Sequence, residues 1–185
     1  MMICPSNIRP WAPVDQKYDS RKTSINKTKI PVIFKKIIWE SNTINADLGG
    51  GRYDNASEYL LERGVTNYIY DPFNRTPQHN EFVLNKIKGG QCDTVTLSNV
   101  LCVIKELENR YQLLANAIDC LKPVGTAYIT IYAGNGTGVG RPTTGGYQLN
   151  KKIKEFLPEI ELWFNDVKLK NNMITVKSPK NNGFR

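Results

Sequence analysis

Apolar positions along this chain fall in blocks of helical period, separated by short runs rich in β-branched and aromatic residues. In IPVIFKKIIWE, residues 30–40, Val32, Ile33, Ile37 and Ile38 gather on one side of a helix, and Pro31 suits its first turn. TINADL, 43–48, reads as a short strand ending at glycines, and DNASEYLLERG, 54–64, as a helix opened by the capping acid Asp54 and stopped by Gly64. VTNYIYD, 65–71, has the content of a second strand. A helix over 77–87 follows, with Phe82, Val83 and Ile87 at helical spacing, then a strand over 92–100, a helix over 106–121 and an apolar strand over 125–133. Strand and helix alternate, so the predicted class is α/β: a three-layer sandwich around a mostly parallel central sheet.

The ends depart from that rhythm. Residues 1–29 hold three prolines and little periodicity, which predicts an irregular, basic N-terminal arm before a single domain over 30–180. AGNGTGVGRPTTGG, 133–146, is rich in glycine and poor in charge and reads as a loop at the carboxyl end of a strand, where ligand crevices of open α/β sheets lie. A helix over 147–164 and two strands within 166–177, joined by Asn171-Asn172, complete the reading as a terminal antiparallel pair.

Composition narrows the function classes. At 185 residues with 40% apolar content the chain can bury one core. No run approaches the ~18 apolar residues of a membrane helix, so the expectation is no membrane and a soluble, cytoplasmic protein. Cys4, Cys92, Cys102 and Cys120 form no C-x-x-C pair, and His79 is the single histidine, which argues against a metal centre. The formal charge of +8 comes from 25 Lys and Arg against 17 Asp and Glu, and favours an anionic partner such as nucleic acid. The cations cluster in the arm (Lys17, Arg21, Lys22, Lys27, Lys29, then Lys35 and Lys36) and toward the C-terminus (Lys151, Lys152, Lys154, Lys168, Lys170, Lys177, Lys180).

The stretch 45–75 carries the chemistry. Glycines at a strand-to-helix turn let backbone approach a ligand, and the run here is Asp47-x-Gly49-Gly50-Gly51-x-Tyr53. A dinucleotide fingerprint would require glycine at the position of Asp54, where an acid opposes a pyrophosphate. An acid at the end of each of the first two strands instead suits a cationic, phosphate-free adenosine ligand, S-adenosylmethionine (SAM). Asp47 would organise the turn and attract the ligand's cationic end, and Asp71, 20 positions after Gly51, would accept both ribose hydroxyls.

ADLGGG, YIYDPFNR, CDTVTLSNVL and LKPVGTAYITIY resemble the successive blocks of class I SAM-dependent methyltransferases, a resemblance that covers residues 43–133, roughly half the chain. The blocks are particularly similar to those of small methyltransferase-like proteins of phages and bacteria, and more loosely similar to a methyltransferase associated with DNA modification. The resemblance implies a Rossmann-like sheet with Asp47, Gly49, Gly50 and Gly51 at the methionine end, Asp71 on the ribose, Pro72 and Phe73 near the adenine, and Ser98 and Asn99 on the floor. Tyr53 stands where the family's last motif glycine falls, which implies either a tighter turn or a tyrosine that covers the cofactor. Only 21 residues separate Asp71 from Asp93, so the sheet is expected to be one strand short of the family's seven.

Methyl transfer needs positioning more than a strong base. Asn99, whose amide both donates and accepts, is the candidate for orienting an acceptor. Tyr132 and Tyr147 are candidates for stacking on it, and Arg141 for contact from a lid formed by the glycine-rich loop. DPFN, 71–74, superficially resembles the D-P-P-Y box of DNA amino-methyltransferases, but stands on the second strand rather than the fourth. The expectation is a methyltransferase acting on DNA or RNA; a small-molecule methyltransferase and a SAM-binding protein without transfer activity are the alternatives.

Overall fold

The computed structural model describes residues 8–19, 21–22 and 27–179, which leaves Cys4 and Lys180 outside the described residues. A six-stranded sheet of order β2-β1-β3-β4-β8-β7 organises the chain. The strands are β1 (Thr43–Leu48), β2 (Val65–Tyr70), β3 (Cys92–Ser98), β4 (Leu121–Thr130), β7 (Phe164–Lys170) and β8 (Met173–Pro179). β1 to β4 are mutually parallel, and β8 runs antiparallel to both β4 and β7. Asn171 and Asn172 both take positive φ (53° and 55°), which lets a two-residue turn follow the twist of that terminal pair.

α1 (Val32–Lys36) and α2 (Asn55–Leu61) cover one face, where Ile33, Phe34, Ile37, Ala56, Leu60 and Val65 form a compact apolar cluster. α3 (Pro77–Ile87), α4 (Leu107–Cys120) and the single turn α5 (Leu157–Ile160) cover the other, larger face. The result is a three-layer Rossmann-like sandwich with the parallel core and terminal antiparallel pair expected, and with six strands in its main sheet.

The strand missing beside β2 is partly replaced by side chains. Asn80 accepts the Asp71 N–H through Oδ1 (3.1 Å) and donates through Nδ2 to the Asp71 carbonyl (2.9 Å), so its amide acts as one rung of a ladder. His79 Nε2 lies 2.9 Å from the Ile69 carbonyl one rung earlier.

Several elements differ from the sequence expectation. The helix over 30–40 is confined to α1, because the Trp39 indole N–H donates to the Phe34 carbonyl (2.8 Å), the acceptor that the Ile38 amide would need to continue the helix. Ile37 then turns extended and buried, while Val32 and Ile38 face solvent, Ile38 with 94% exposure. Asp54 precedes α2 but makes no side-chain cap and pairs instead with Arg75 (2.8 Å). Phe82 is exposed, unlike Val83 and Ile87. The loop over 133–146 contains β5 (Arg141–Thr143), which pairs with β6 (Gly146–Gln148) as a separate hairpin.

The helix expected over 147–164 is mostly absent. Leu149 N–H bonds to the Cys102 carbonyl (2.8 Å) and Asn150 adopts φ 56°, so helical backbone resumes only as a 3₁₀ turn at Ile153–Phe156 leading into α5. Among the described residues no helix is long and apolar enough to cross a membrane, and no three His, Cys, Asp or Glu side chains gather as a metal site.

Candidate functional site

The carboxyl ends of β1 to β4 open onto a cleft of about 700 Å³, a size typical of ligand sites. Gly49, Gly50 and Gly51 line it, with φ of 77° at Gly49 and 80° at Gly51, conformations that favour glycine. A Cβ at Gly49 would lie 2.5 Å from Val100 Cγ2 and one at Gly50 2.2 Å from Asp47 Oδ2, so neither of these positions has room for a side chain.

Asp47 lies beneath that turn rather than in the cleft wall, with 1% exposure. Burial, with Asp71 opposing ionisation, pushes its pKa up to about 7; the Thr96 hydroxyl donating to Oδ1 (2.9 Å) and the Arg75 charge pull the other way. Thr96 belongs to a polar ladder across the sheet: Asn45 Nδ2 donates to Thr96 Oγ1 (3.0 Å) and Asn67 Oδ1 (2.7 Å), and Asn67 Nδ2 to Ser57 Oγ (3.0 Å). Every amide hydrogen of Asn45 is used, which fixes the orientation of Thr96 under Asp47.

Asp71 lines the cleft with 3% exposure, and its carboxylate already serves the backbone. Oδ1 accepts the N–H groups of Phe73 and Asn74 (2.9 Å each), and Oδ2 accepts that of Gly51 (2.9 Å). The Asn74 side-chain amide lies 3.2 Å from both oxygens. A carboxylate offers about four lone-pair sites, so two ribose hydroxyls cannot simply add to this set. The sequence points to Asp71 as a ribose holder; the geometry shows it first as the tie between the turn and the segment after β2.

Arg75 completes that tie and was not singled out from sequence. Its Nε donates to the Gly51 carbonyl (2.7 Å) and Nη2 to the Tyr53 carbonyl (3.0 Å), while the guanidinium pairs with Asp54. The Gly51 residue is thus held at its N–H by Asp71 and at its carbonyl by Arg75. Tyr53, expected over the cofactor, does not line the cleft. The signal was available in the run Asp71 to Arg75, where an Asx-type turn ends in a cation, here set opposite the carbonyls of Gly51 and Tyr53.

Pro72, Phe73, Ser98 and Asn99 all line the cleft. Asn99 is held in the left-handed region (φ 57°) by its own N–H bonding the Thr130 carbonyl (3.0 Å), and its side chain is exposed. Cys102, also in the cleft lining, is fully buried, donates its thiol to the Asn99 carbonyl (3.2 Å) and has its pKa raised by burial, which disfavours the thiolate. Tyr132 and Tyr147 reach the same cleft, Tyr132 with 63% exposure. Arg141 does not; it lines a smaller pocket of about 400 Å³ that shares Tyr132, Thr143 and Gln148 with the main one.

The N-terminal arm supplies a wall that sequence alone did not indicate. Val14 and Gln16 line the cleft, and Tyr18 stacks on Tyr147 (5.3 Å, 24°) with Lys105 over both rings. The arm reaches that position along α4, where Asn109 donates to the Asp15 carbonyl (2.7 Å) and Asn116 accepts the Trp11 N–H (2.7 Å).

No protein-family model and no curated protein sequence matches the chain. Solved structures do. The chain is similar to a 1,6-didemethyltoxoflavin N1-methyltransferase from Burkholderia thailandensis, solved with that compound and S-adenosylhomocysteine, at 16% identity and TM-score 0.56 over 76% of this chain and 72% of that one. It also matches a TehB-like SAM-dependent methyltransferase from Corynebacterium glutamicum (14% identity, TM-score 0.49, 78% and 85% of the chains). A third is the T. thermophilus 16S rRNA N2 G1207 methyltransferase, solved with SAM and guanosine (12% identity, TM-score 0.47), of which the chain spans 42% while 90% of this chain is covered. The fold is that of the class I SAM-dependent methyltransferases. The likeness at TM-score 0.56 is to a bacterial protein, and the phage part of the expected resemblance is not borne out.

Proposed function

We propose that the protein binds SAM in this cleft and transfers its methyl group to a base of DNA or RNA. The observation that carries the cofactor is the turn Gly49 to Gly51: a Cβ-free backbone surface over a buried acid, opening on a cleft sized for a small ligand. Gly49 to Gly51 and Asp71 would hold the ligand's methionine and ribose parts, with Pro72 and Phe73 against the adenine and Ser98 and Asn99 on the floor. These residues fit the group: glycine backbone for close approach, acid for cation and hydroxyl, and apolar walls for the ring. SAM, when bound, supplies a methyl group on a sulfonium, with a neutral thioether as leaving group.

The chain's own part is positioning. Asn99 offers an amide that donates and accepts at the cleft surface, and Tyr132 an exposed ring lining the same cleft, groups suited to orienting a planar amine or ring nitrogen. Lys29 and Lys36 line the cleft, and Lys17 and Lys105 stand over Tyr18 near its mouth, a cationic rim suited to phosphate. A second reading, a free small molecule as acceptor, is favoured by the arm, since Val14 and Gln16 wall the cleft.

Calorimetric titration with SAM and S-adenosylhomocysteine tests the cofactor. Micromolar binding is expected, and no binding of either ends the proposal. Incubation with methyl-labelled SAM and, separately, DNA, RNA and a small-metabolite fraction tests the acceptor. Label in nucleic acid, together with binding that weakens steeply with salt, is expected; label only in metabolites selects the second reading. Bound SAM without label anywhere selects a non-transferring binder.

A further inference from the structure

We infer that the Asn74 side chain is a built-in occupant of the ribose position on Asp71, displaced when an adenosine ligand binds. The inference rests on the SAM reading. Three backbone N–H groups, those of Gly51, Phe73 and Asn74, already hold the carboxylate. Of its roughly four lone-pair sites this leaves one, on Oδ2. The Asn74 amide takes it, with Nδ2 at 3.2 Å from each oxygen, the bridging placement that a hydroxyl pair would otherwise seek.

Asn74 and Asp71 both line the cleft, so the bond sits where a ligand must compete for it. The amide is held from its other end as well, since Arg52 Nη2 donates to Asn74 Oδ1 (3.0 Å) and thereby turns the NH₂ group toward Asp71. Both contacts at 3.2 Å are longer than the 2.9 Å backbone bonds to the same carboxylate, so the amide is the most weakly held of its partners. The backbone donors belong to the turn itself and cannot leave without undoing it. A ribose hydroxyl donating to Oδ2 therefore replaces the Asn74 amide and nothing else, and Asp71 takes one hydroxyl rather than two.

An unusual consequence follows for a polar residue in a binding cleft: removing it strengthens binding. Asn74→Ala keeps the Asn74 backbone bond and vacates Oδ2, so affinity for adenosine and S-adenosylhomocysteine should rise about three- to tenfold, the worth of one hydrogen bond no longer displaced. Arg52→Ala, which only loosens the amide, should give a smaller rise in the same direction. The control ligand is 2′,3′-dideoxyadenosine, which has no hydroxyl to offer and should bind wild type and Asn74→Ala alike.

Calorimetry with these three ligands on the full chain, beside thermal melts to confirm folding, decides the matter. A rise confined to the hydroxyl-bearing ligands is the expected result. Unchanged or weaker binding of S-adenosylhomocysteine by Asn74→Ala overturns the inference, and so does an equal gain for the dideoxy ligand, which would mean steric relief alone. If the wild type binds neither adenosine nor S-adenosylhomocysteine, the SAM reading fails and this inference with it.

Discussion

Asp47 sets a pH dependence that can be read from its surroundings. Its carboxyl titrates from 3.8 when solvated and at about 7 in the fold, where burial outweighs the Thr96 hydrogen bond and the Arg75 charge and where Asp71 adds repulsion. The native state therefore binds more protons than the unfolded chain between those values. Asp47 contributes most to stability below its unfolded pKa, and that contribution is lost as pH rises toward 7, by at most about 1.4 kcal/mol per pH unit. Urea denaturation at pH 5, 6, 7 and 8 should show this decline superimposed on the remaining titrations. Asp47→Asn, which can still accept from Thr96, should flatten that component and be the more stable protein at pH 8. An undiminished slope in that variant would assign the dependence to other groups. At the neighbouring Gly50 the same carboxyl acts sterically: Gly50→Ala sets a Cβ 2.2 Å from Asp47 Oδ2 and 2.9 Å from Ile69 Cγ2, and should lower both the melting temperature and adenosine-ligand affinity.

At the scale of elements, the open side of β2 is the feature least like a complete parallel sheet. Asn80 satisfies the Asp71 N–H and carbonyl there, so Asn80→Leu, close in shape but apolar, leaves two backbone groups without their rung. A loss of about 1–3 kcal/mol is expected by chemical denaturation, and the segment carrying Asp71 and Arg75 should become the first site of proteolysis. An unchanged unfolding midpoint would show that water satisfies that edge. The short gap between Asp71 and Asp93 made the missing strand legible in advance; the side-chain substitute was not, because it depends on how α3 leans over β2. β1 and α3 were legible to the residue, since period, glycine stop and Thr76-Pro77 start agree. The hairpin β5–β6 and the break at Asn150 were not, since they are fixed by bonds to distant groups, Leu149 to Cys102 and Gln148 to Tyr132. In the site the glycine turn, Asp71 and Asn99 were legible as types and spacings, and the local run Asp71 to Arg75 as a turn ending in a cation, whereas the partners of Arg75 on Gly51 and Tyr53 and the arm wall depend on contacts distant in sequence.

For the molecule as a whole, the arm joins the outer layer to the cleft, and Trp11 is its anchor. Its N–H and indole N–H donate to Asn116 Oδ1 (2.7 Å) and Asp119 Oδ2 (2.6 Å) on α4, and its ring meets Tyr70 edge-on at 5.3 Å. The backbone there is left-handed, φ 62°, a conformation that costs a bulky residue about 1–2 kcal/mol and is held in place by those contacts. Gln112 extends the row, donating to the Arg9 carbonyl and to Asn116 (2.9 Å). Trp11→Ala removes the indole bond and the ring contact, so residues around Val14 to Tyr18 should lose hydrogen-exchange protection and become open to protease while the sheet still unfolds cooperatively. Because Val14 and Gln16 wall the cleft, the same variant separates the two acceptor readings. If a nucleic acid is methylated, loosening the wall should leave or raise turnover on oligonucleotides; if the acceptor is a small molecule, KM for it should rise several-fold with S-adenosylhomocysteine affinity unchanged. Retained protection of 14–18 in Trp11→Ala would show instead that the α4 amides Asn109 and Gln112 hold the arm without its tryptophan.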